Sequence, residues 1–204
     1  MTRIAIIGTG RMACGLASGW TRAGHSVTVG SRDPGANKTV GADTGAVVTT
    51  HAKALEGADV VVIAVPFAHT QEFASANAAA LRGKVVIDIS NPMGALEGAG
   101  KSGAQVTEEA IGEGARVVPA FKSNFFDTLS SPHDATGLVR DVLYAGNDAS
   151  AKEVTADLIS DLGFRPVDCG TLKAARVLDD LVPLIIDLDK RMGNHRSASW
   201  KVLG

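Results

Sequence analysis

The residues best placed to do chemistry stand near the start of the chain. Gly8-Thr9-Gly10-Arg11-Met12-Ala13 follows the apolar run Ile4-Ala5-Ile6-Ile7 and opens an Ala/Leu-rich stretch. This is Gly-x-Gly-x-x-Ala at a strand-to-helix junction, and each small residue has a physical task. Gly8 permits a tight turn out of the strand. Gly10 lets a pyrophosphate approach the backbone. Ala13 lets the helix pack closely on the strand. The helix start adds unpaired N–H groups and about half a positive charge for the phosphates, with Thr9, Arg11 and Met12 beside them. The chemistry indicated is dinucleotide binding; the competing reading is a glycine-rich turn with no ligand.

A second cluster qualifies the first. The next strand ends Val29-Gly30-Ser31-Arg32. At this position NAD enzymes carry an acidic residue that holds the ribose hydroxyls. A carboxylate there repels a 2′-phosphate, whereas a hydroxyl followed by a guanidinium suits one. The expected cofactor is therefore NADP(H), with Asn37 and Lys38 near enough to close over the phosphate. Asp33 precedes Pro34 and reads either as a cap on the following turn or as a ribose contact.

Further candidates lie where later strands end. Asp59 to Pro66 is nearly all β-branched and reads as a strand buried on both faces, so Val65, Pro66 and Phe67 are expected to wall the nicotinamide. His69 follows at a helix start and reads as a site residue or as a solvated cap. Lys84 to Ser90 is the fifth strand, with Asn91-Pro92 as a sharp turn at the crevice, and Asp88 inside its apolar run needs a buried partner. Ala115 to Phe121 is the sixth, leading into Lys122-Ser123-Asn124-Phe125-Phe126. That segment reads as a binding-site lining or as a loop whose phenylalanines complete the core. Lys122 is the best candidate for a polar catalytic role, stabilising negative charge on a reduced ring or holding an acceptor phosphate; the bland reading is a surface lysine. The glycine-rich stretch 94–103 reads as a mobile loop over the site.

The remaining elements position these residues. Met12, Ala13, Leu16, Ala17 and Trp20 recur at helical spacing, with Gly24 as the stop. His25 to Gly30 is the second strand and Gly45 to Thr49 the third, with Thr50 as N-cap of a helix over 52–56. The helix that starts at His69 is completed by Ala74 to Leu81 and stopped by Gly83, and a short one spans 106–111. Arg140 to Gly146 and Phe164 to Cys169 are further strands, and Pro166 places the last at a sheet edge. Leu172, Ala175, Leu178, Leu181, Ile185, Leu188 and Met192 mark a final helix that Pro183 kinks or divides. The expected fold is α/β: a Rossmann-type, doubly wound, mostly parallel sheet with a small C-terminal helical and strand extension. Residues 1–204 read as one NADP-binding domain, with 140–204 as the extension packed on it.

Composition narrows the function. The 204 residues are 45% hydrophobic and 21% charged, with 20 Lys and Arg against 22 Asp and Glu, a net charge of −2. Nothing here favours nucleic acid or an anionic membrane, and only 4% aromatics leaves little base-stacking surface. Cys14 and Cys169 have no metal-ligand or redox spacing, so two free thiols and no metal are expected. The N-terminal apolar run reads as a strand, not a leader, and the longest such run contains Pro66 and is too short to span a bilayer. A cytoplasmic protein is expected.

Taken together, Gly8-Thr9-Gly10 with Gly30-Ser31-Arg32, the Val65-Pro66-Phe67-Ala68-His69 turn, the Asp88-Ile89-Ser90-Asn91-Pro92 loop and the block from Gly163-Phe164-Arg165-Pro166 to Leu181-Val182-Pro183-Leu184-Ile185 resemble the NADPH-dependent coenzyme F420 reductases. The resemblance covers essentially the whole length. It implies a compact homodimer transferring hydride between the nicotinamide and a deazaflavin or flavin. It implies NADP contacts at Thr9 to Met12, Ser31, Arg32 and Lys38, near Val65 to Gln71, and in the Ser123 to Phe126 loop; Asn91 and Pro92, read above as the turn at the crevice, are further cofactor-binding candidates. One departure stands out. Members often read Lys-Ala-Phe-Asn after the sixth strand, where this chain has Pro119-Ala120-Phe121-Lys122.

No Ser/His/Asp arrangement or carboxylate pair stands out, which suits hydride transfer between aligned rings in a dry cleft. Two rival readings remain: an NADPH-dependent reductase of a small carbonyl or imine, which would want a positioned proton donor, and a non-enzymatic NADP(H)-sensing protein.

Overall fold

Six strands rich in apolar and β-branched residues form one parallel sheet, buried on both faces at its centre and partly exposed at the edge strand Val47–Thr50. In the computed structural model, which describes residues 1–203, the elements follow in this order. β1 (Arg3–Ile7), α1 (Arg11–Arg22), β2 (Ser26–Ser31), α2 (Lys38–Thr44), β3 (Val47–Thr50), α3 (His51–Leu55), β4 (Val60–Ile63), α4 (Phe67–Ala76), α5 (Ala78–Leu81), β5 (Val85–Asp88), α6 (Gly103–Ile111) and β6 (Arg116–Pro119) make the nucleotide-binding part. The C-terminal part holds β7 (Asp141–Tyr144), α7 (Ala149–Asp161), β8 (Arg165–Asp168) and α8 (Ala175–Met192). The strand order is β3-β2-β1-β4-β5-β6, so the winding reverses between β1 and β4. This is the expected Rossmann-type sheet, and ligands of such sheets bind outside the carboxyl ends at that reversal.

Two apolar layers cover the sheet. One face packs Leu16, Ala17 and Trp20 of α1 and Leu158 and Ile159 of α7. The other packs Ala54 and Leu55 of α3, Phe73 and Ala74 of α4, and Ile111 of α6. Trp20 is fully buried and its indole N–H donates to the Leu158 carbonyl (2.8 Å), so its polar edge has a partner.

Several elements are shorter or longer than their apolar patterns suggest. β4 is paired with β1 from Ile4↔Val60 to Ile7↔Ile63 and stops there because β1 ends at the Gly8 turn. Ala64 to Pro66 are thereby released to form a wall. α6 begins at Gly103, three residues ahead of the expected start. Ser102 accepts from the Gln105 backbone N–H while Gln105 returns a bond to the Ser102 N–H, a capping box that fixes the start. α8 runs through Pro183 as one helix.

β7 and β8 form a parallel pair. The Ala145 N–H donates to the Pro119 carbonyl (3.3 Å), which attaches the pair beyond β6. The chain after α8 folds back over it. Asp189 accepts from the N–H groups of Arg196, Ser197 and Ala198, and Arg140 donates to the Ser197 carbonyl (2.6 Å). Asp141, whose side chain is fully buried, takes Arg165 (2.6 Å), Lys201 (2.8 Å) and the Val202 N–H (2.8 Å). Burial alone would raise its carboxyl, but the bonds from Arg165, Lys201 and Val202 prevail and hold it at about 2. A depressed carboxyl stabilises the fold above its unfolded value near 3.8 and loses that contribution as pH falls through about 2. Asp141→Asn is therefore expected to cost about 2 kcal/mol near neutrality, with the difference vanishing by about pH 2. Urea unfolding of both proteins across that range checks it.

Candidate functional site: a cleft at the carboxyl ends of β1, β2 and β4

A cleft of about 890 Å³ opens where the expectation puts it. Its floor is the first turn. Gly8 has φ 126°, a conformation that favours glycine, and its N–H donates to the Gly30 carbonyl (3.0 Å), tying β1 to the end of β2. A Cβ on Gly8 would lie 2.5 Å from the Ala64 carbonyl oxygen. Gly10 is the N-cap of α1 and differs entirely. A Cβ there would meet nothing within 4 Å. That space belongs to the cleft, beside the unpaired N–H groups of a helix with no acidic residue in its first turn. Arg11 also lines the cleft, its guanidinium 4.6 Å from the centroid of the Phe126 ring.

The exit of β2 forms one end. Ser31 is buried, and its Oγ accepts from the Asp33 N–H (3.1 Å) and from Asn37 Nδ2 (3.2 Å). Asp33 Oδ1 accepts from the Ala36 N–H (3.0 Å), so the structure gives it the capping role. Arg32 lines the cleft and, among the described residues, forms no ion pair. It is an uncommitted cation in a concave site.

The other end is apolar. Ala64, Val65, Pro66 and Phe67, after β4, line it together with Ile89, Ser90 and Asn91, after β5. Asp88 is buried beneath, and the partners it needs are present: Ser90 N–H (2.8 Å), Ser90 Oγ (2.7 Å) and Thr107 Oγ1 (2.7 Å). Asn91 donates to the Lys122 carbonyl (3.1 Å), and its own Oδ1 is a buried acceptor without a protein donor.

The cleft thus brings together Gly8, Thr9, Gly10, Arg11, Met12, Ser31, Arg32, Val65, Pro66, Phe67, His69 and Asn91. Other candidates stand elsewhere. Lys38 and Gln71 are exposed on α2 and α4, off the cleft wall. Pro92 borders a separate depression with Lys101 and Arg176. Phe126 serves as the surface against which Arg11 rests. Lys122 is not a surface lysine, and it does not line the cleft: its ammonium is buried, donating to the Ser90 carbonyl (2.5 Å) and lying 2.8 Å from Asp179 Oδ1. Asp179 Oδ2 also accepts the Gly103 N–H (2.8 Å). Lys122 therefore ties the β5 and β6 exits to α6 and α8 and supports Ser90 and Asn91 from behind.

Pattern reading passed over His51, Glu72, Phe73 and Asn77, which also line the cleft. His51 follows directly on the end of β3, and its position at a carboxyl strand end was the available signal. Among the described residues no group of three or more His, Cys, Asp or Glu is placed to hold a metal ion, and no helix is long and apolar enough to cross a membrane. Cys14 and Cys169 are both free thiols.

Comparison with known proteins places the chain in a family. Residues 3–92, which include the turn, the β2 exit and the β4 wall, match the family described as NADP oxidoreductase coenzyme F420-dependent. The chain is 31% identical over 211 residues to an F420-dependent NADP reductase of Methanothermobacter marburgensis, covering 92% of each chain. It is 32% identical to the one from Methanothermobacter thermautotrophicus, covering 93% of this chain and 90% of that one. A crystal structure from Arthrobacter sp. FB24, described as a candidate F420-dependent NADP-reductase, superposes with a TM-score of 0.90 at 27% identity, covering all of both chains. The chain belongs to the coenzyme F420-dependent NADP oxidoreductase family.

Proposed function

We propose that the protein is an oxidoreductase that moves a hydride between NADP(H) and coenzyme F420, or a related flavin. The observation that carries the nucleotide half is the pairing of Gly10, where a Cβ would meet no protein atom within 4 Å, with the uncommitted Arg32 in the same cleft. Both features fit a nucleotide with an anionic bridge and an extra phosphate. Thr9 to Met12 would hold the pyrophosphate, and Ser31 and Arg32 the 2′-phosphate. The bound NADP(H) supplies or accepts the hydride. Val65, Pro66 and Phe67 would help exclude water from its nicotinamide, and Ser90 and Asn91, held by Asp88 and Lys122, would help orient it. Both electrons travel with the hydride, and the proton that completes reduction of the acceptor ring comes from solvent, so this division of labour asks no side chain for one, which suits a second ring that stacks on the first.

We also assign the protein to the cytoplasm and to a homodimer. Val177, Leu184 and Met192 leave exposed apolar area along α8, and a second copy would cover it. The net charge of −2 gives nucleic acid no electrostatic hold.

The deciding experiment is anaerobic NADPH oxidation against F420, FMN, FAD and a ketone and imine panel, run on the natural chain and on Arg32→Ala. F420 or a flavin should be reduced, and the ketones and imines should not. Charge-assisted bonds contribute about 1.5–3 kcal/mol, so Arg32→Ala should weaken NADPH binding about ten- to a hundredfold and leave NADH binding nearly unchanged. An unaltered preference between the two nucleotides would refute the assignment of Arg32; turnover confined to ketones or imines would refute the acceptor.

A further inference from the structure

His51 sits on the cleft wall with Ser31 and Arg32, and its place there is built. Gly30 makes the room. A Cβ on Gly30 would press on Ile7 at 2.9 Å, on Ala54 at 3.2 Å and on His51 Cδ2 at 3.2 Å. Phe73 meets the ring edge-on with centroids 5.5 Å apart and an interplanar angle of 89°. Thr50, which accepts from the Lys53 N–H, caps α3 and fixes the backbone at His51. So Gly30, already required for the Gly30-Ser31-Arg32 pattern, also seats an imidazole against the phosphate-binding end of the cleft. Among the described residues no protein hydrogen bond engages either ring nitrogen, so both are available to a ligand.

We infer that His51 is a further recognition residue for the 2′-phosphate end of NADP(H), engaging it as the imidazolium, so that capture of the nucleotide takes up a proton. The inference rests on the proposed NADP(H) site and adds to it a residue, a protonation state and a pH dependence.

The electrostatics run as follows. Without ligand, burial first and then the charge of Arg32 push the His51 imidazole below its usual range, so it is neutral near pH 7. A dianionic phosphate placed between the two bases removes the repulsion and rewards the second cation. The imidazole is then raised in the complex, and a proton is bound with the nucleotide. The other ionisable groups near the ring are Asp33 at the β2 exit and Glu72 and His69 on α4, which share the cleft. Of the strands packed on α3, β3 has no ionisable residue, and the one in β1, Arg3, is committed to Asp59 (2.6 Å). Lys53, on α3 itself, is exposed. Because the charged form is favoured in the complex, affinity is greatest below the bound-state pKa and falls as pH rises through it.

The test is calorimetric titration with NADPH, and with NADH as the ligand lacking the phosphate, in two buffers of different ionisation enthalpy. It is run from pH 6.5 to 8.5, above the phosphate's own second ionisation near 6. The natural protein should take up about half a proton or more on binding NADPH near pH 7. Its affinity should fall about tenfold across the range. NADH should show neither effect. His51→Gln should abolish both the uptake and the slope, with folding confirmed by circular dichroism. His51→Lys, charged throughout, should keep the tight binding while losing the slope. If NADPH fails to bind the natural protein at any pH, the nucleotide site itself is refuted. If it binds but uptake and slope are the same in His51→Gln, or are equally present with NADH, the role of His51 is overturned and its ring only packs on Phe73.

Discussion

Gly10→Ala is expected to fold like the natural chain yet bind NADPH about ten- to a hundredfold more weakly, because one backbone-to-phosphate bond of about 1.5–3 kcal/mol is displaced. Gly8→Ala is expected to fail earlier, at the fold. The two glycines are two residues apart in one motif and look equivalent on paper, but their surroundings separate them. At Gly10 a methyl group would meet no protein atom within 4 Å, so the protein itself does not resist it. It would project into the space left for the ligand. At Gly8 the φ of 126° is itself costly for any L side chain, and the added carbon would lie 2.5 Å from the Ala64 oxygen and 2.9 Å from its carbonyl carbon. Both obstacles are backbone of the neighbouring strand's exit and cannot rotate away. Backbone strain and overpacking each cost about 1–3 kcal/mol, so a loss of about 3 kcal/mol or more is expected for Gly8→Ala. Urea unfolding paired with NADPH titration distinguishes them. A Gly10→Ala protein that unfolds early, or a Gly8→Ala protein that is stable, would show that the turn is built differently.

The contrast illustrates what a sequence can and cannot reveal. The strand-turn-helix junction, the β2 exit and the β-branched strands were legible because their signals are local: a glycine where the backbone turns, a cation where an acid would sit, an apolar run with no alternation. Asp88 could be read as needing a partner, but not that Thr107, from α6, would be among those supplying it. The α8 pattern was plain, whereas the course of the chain beyond it was not. That course is set by Asp189 gathering three backbone N–H groups and by Asp141 drawing in Lys201, and no short-range pattern announces such contacts. His51 escaped notice for a related reason. Its meaning lies in the space above Gly30, and Gly30 was read only for the two residues that follow it.

Lys122 was the hardest residue to place from its neighbours alone, and it supports the second large prediction. Preceded by Phe121 in a left-handed conformation (φ 56°), it leaves the sheet at an angle that packing on Trp20 and Phe164 enforces. Its side chain is 2% exposed and that of Asp179 is 6% exposed. Two opposite charges in such a place are each costly to desolvate, and their stability depends on each other. Lys122→Met should therefore destabilise the protein by about 3–5 kcal/mol, because Asp179 is left charged and buried. Lys122→Met combined with Asp179→Asn should recover most of that loss, since no charge then remains to solvate. A structural clamp and a catalytic lysine differ in this recovery. If the residue acts on the acceptor, the double variant stays as inactive as the single one while both are as stable as the natural chain. If it holds Ser90 and Asn91 in place, stability and turnover fall together in Lys122→Met and return together in the double variant. Urea unfolding of the four proteins, with F420 reduction measured on each, decides the matter. A Lys122→Met protein of unchanged stability would remove the clamp and restore the lysine to the list of candidates for chemistry.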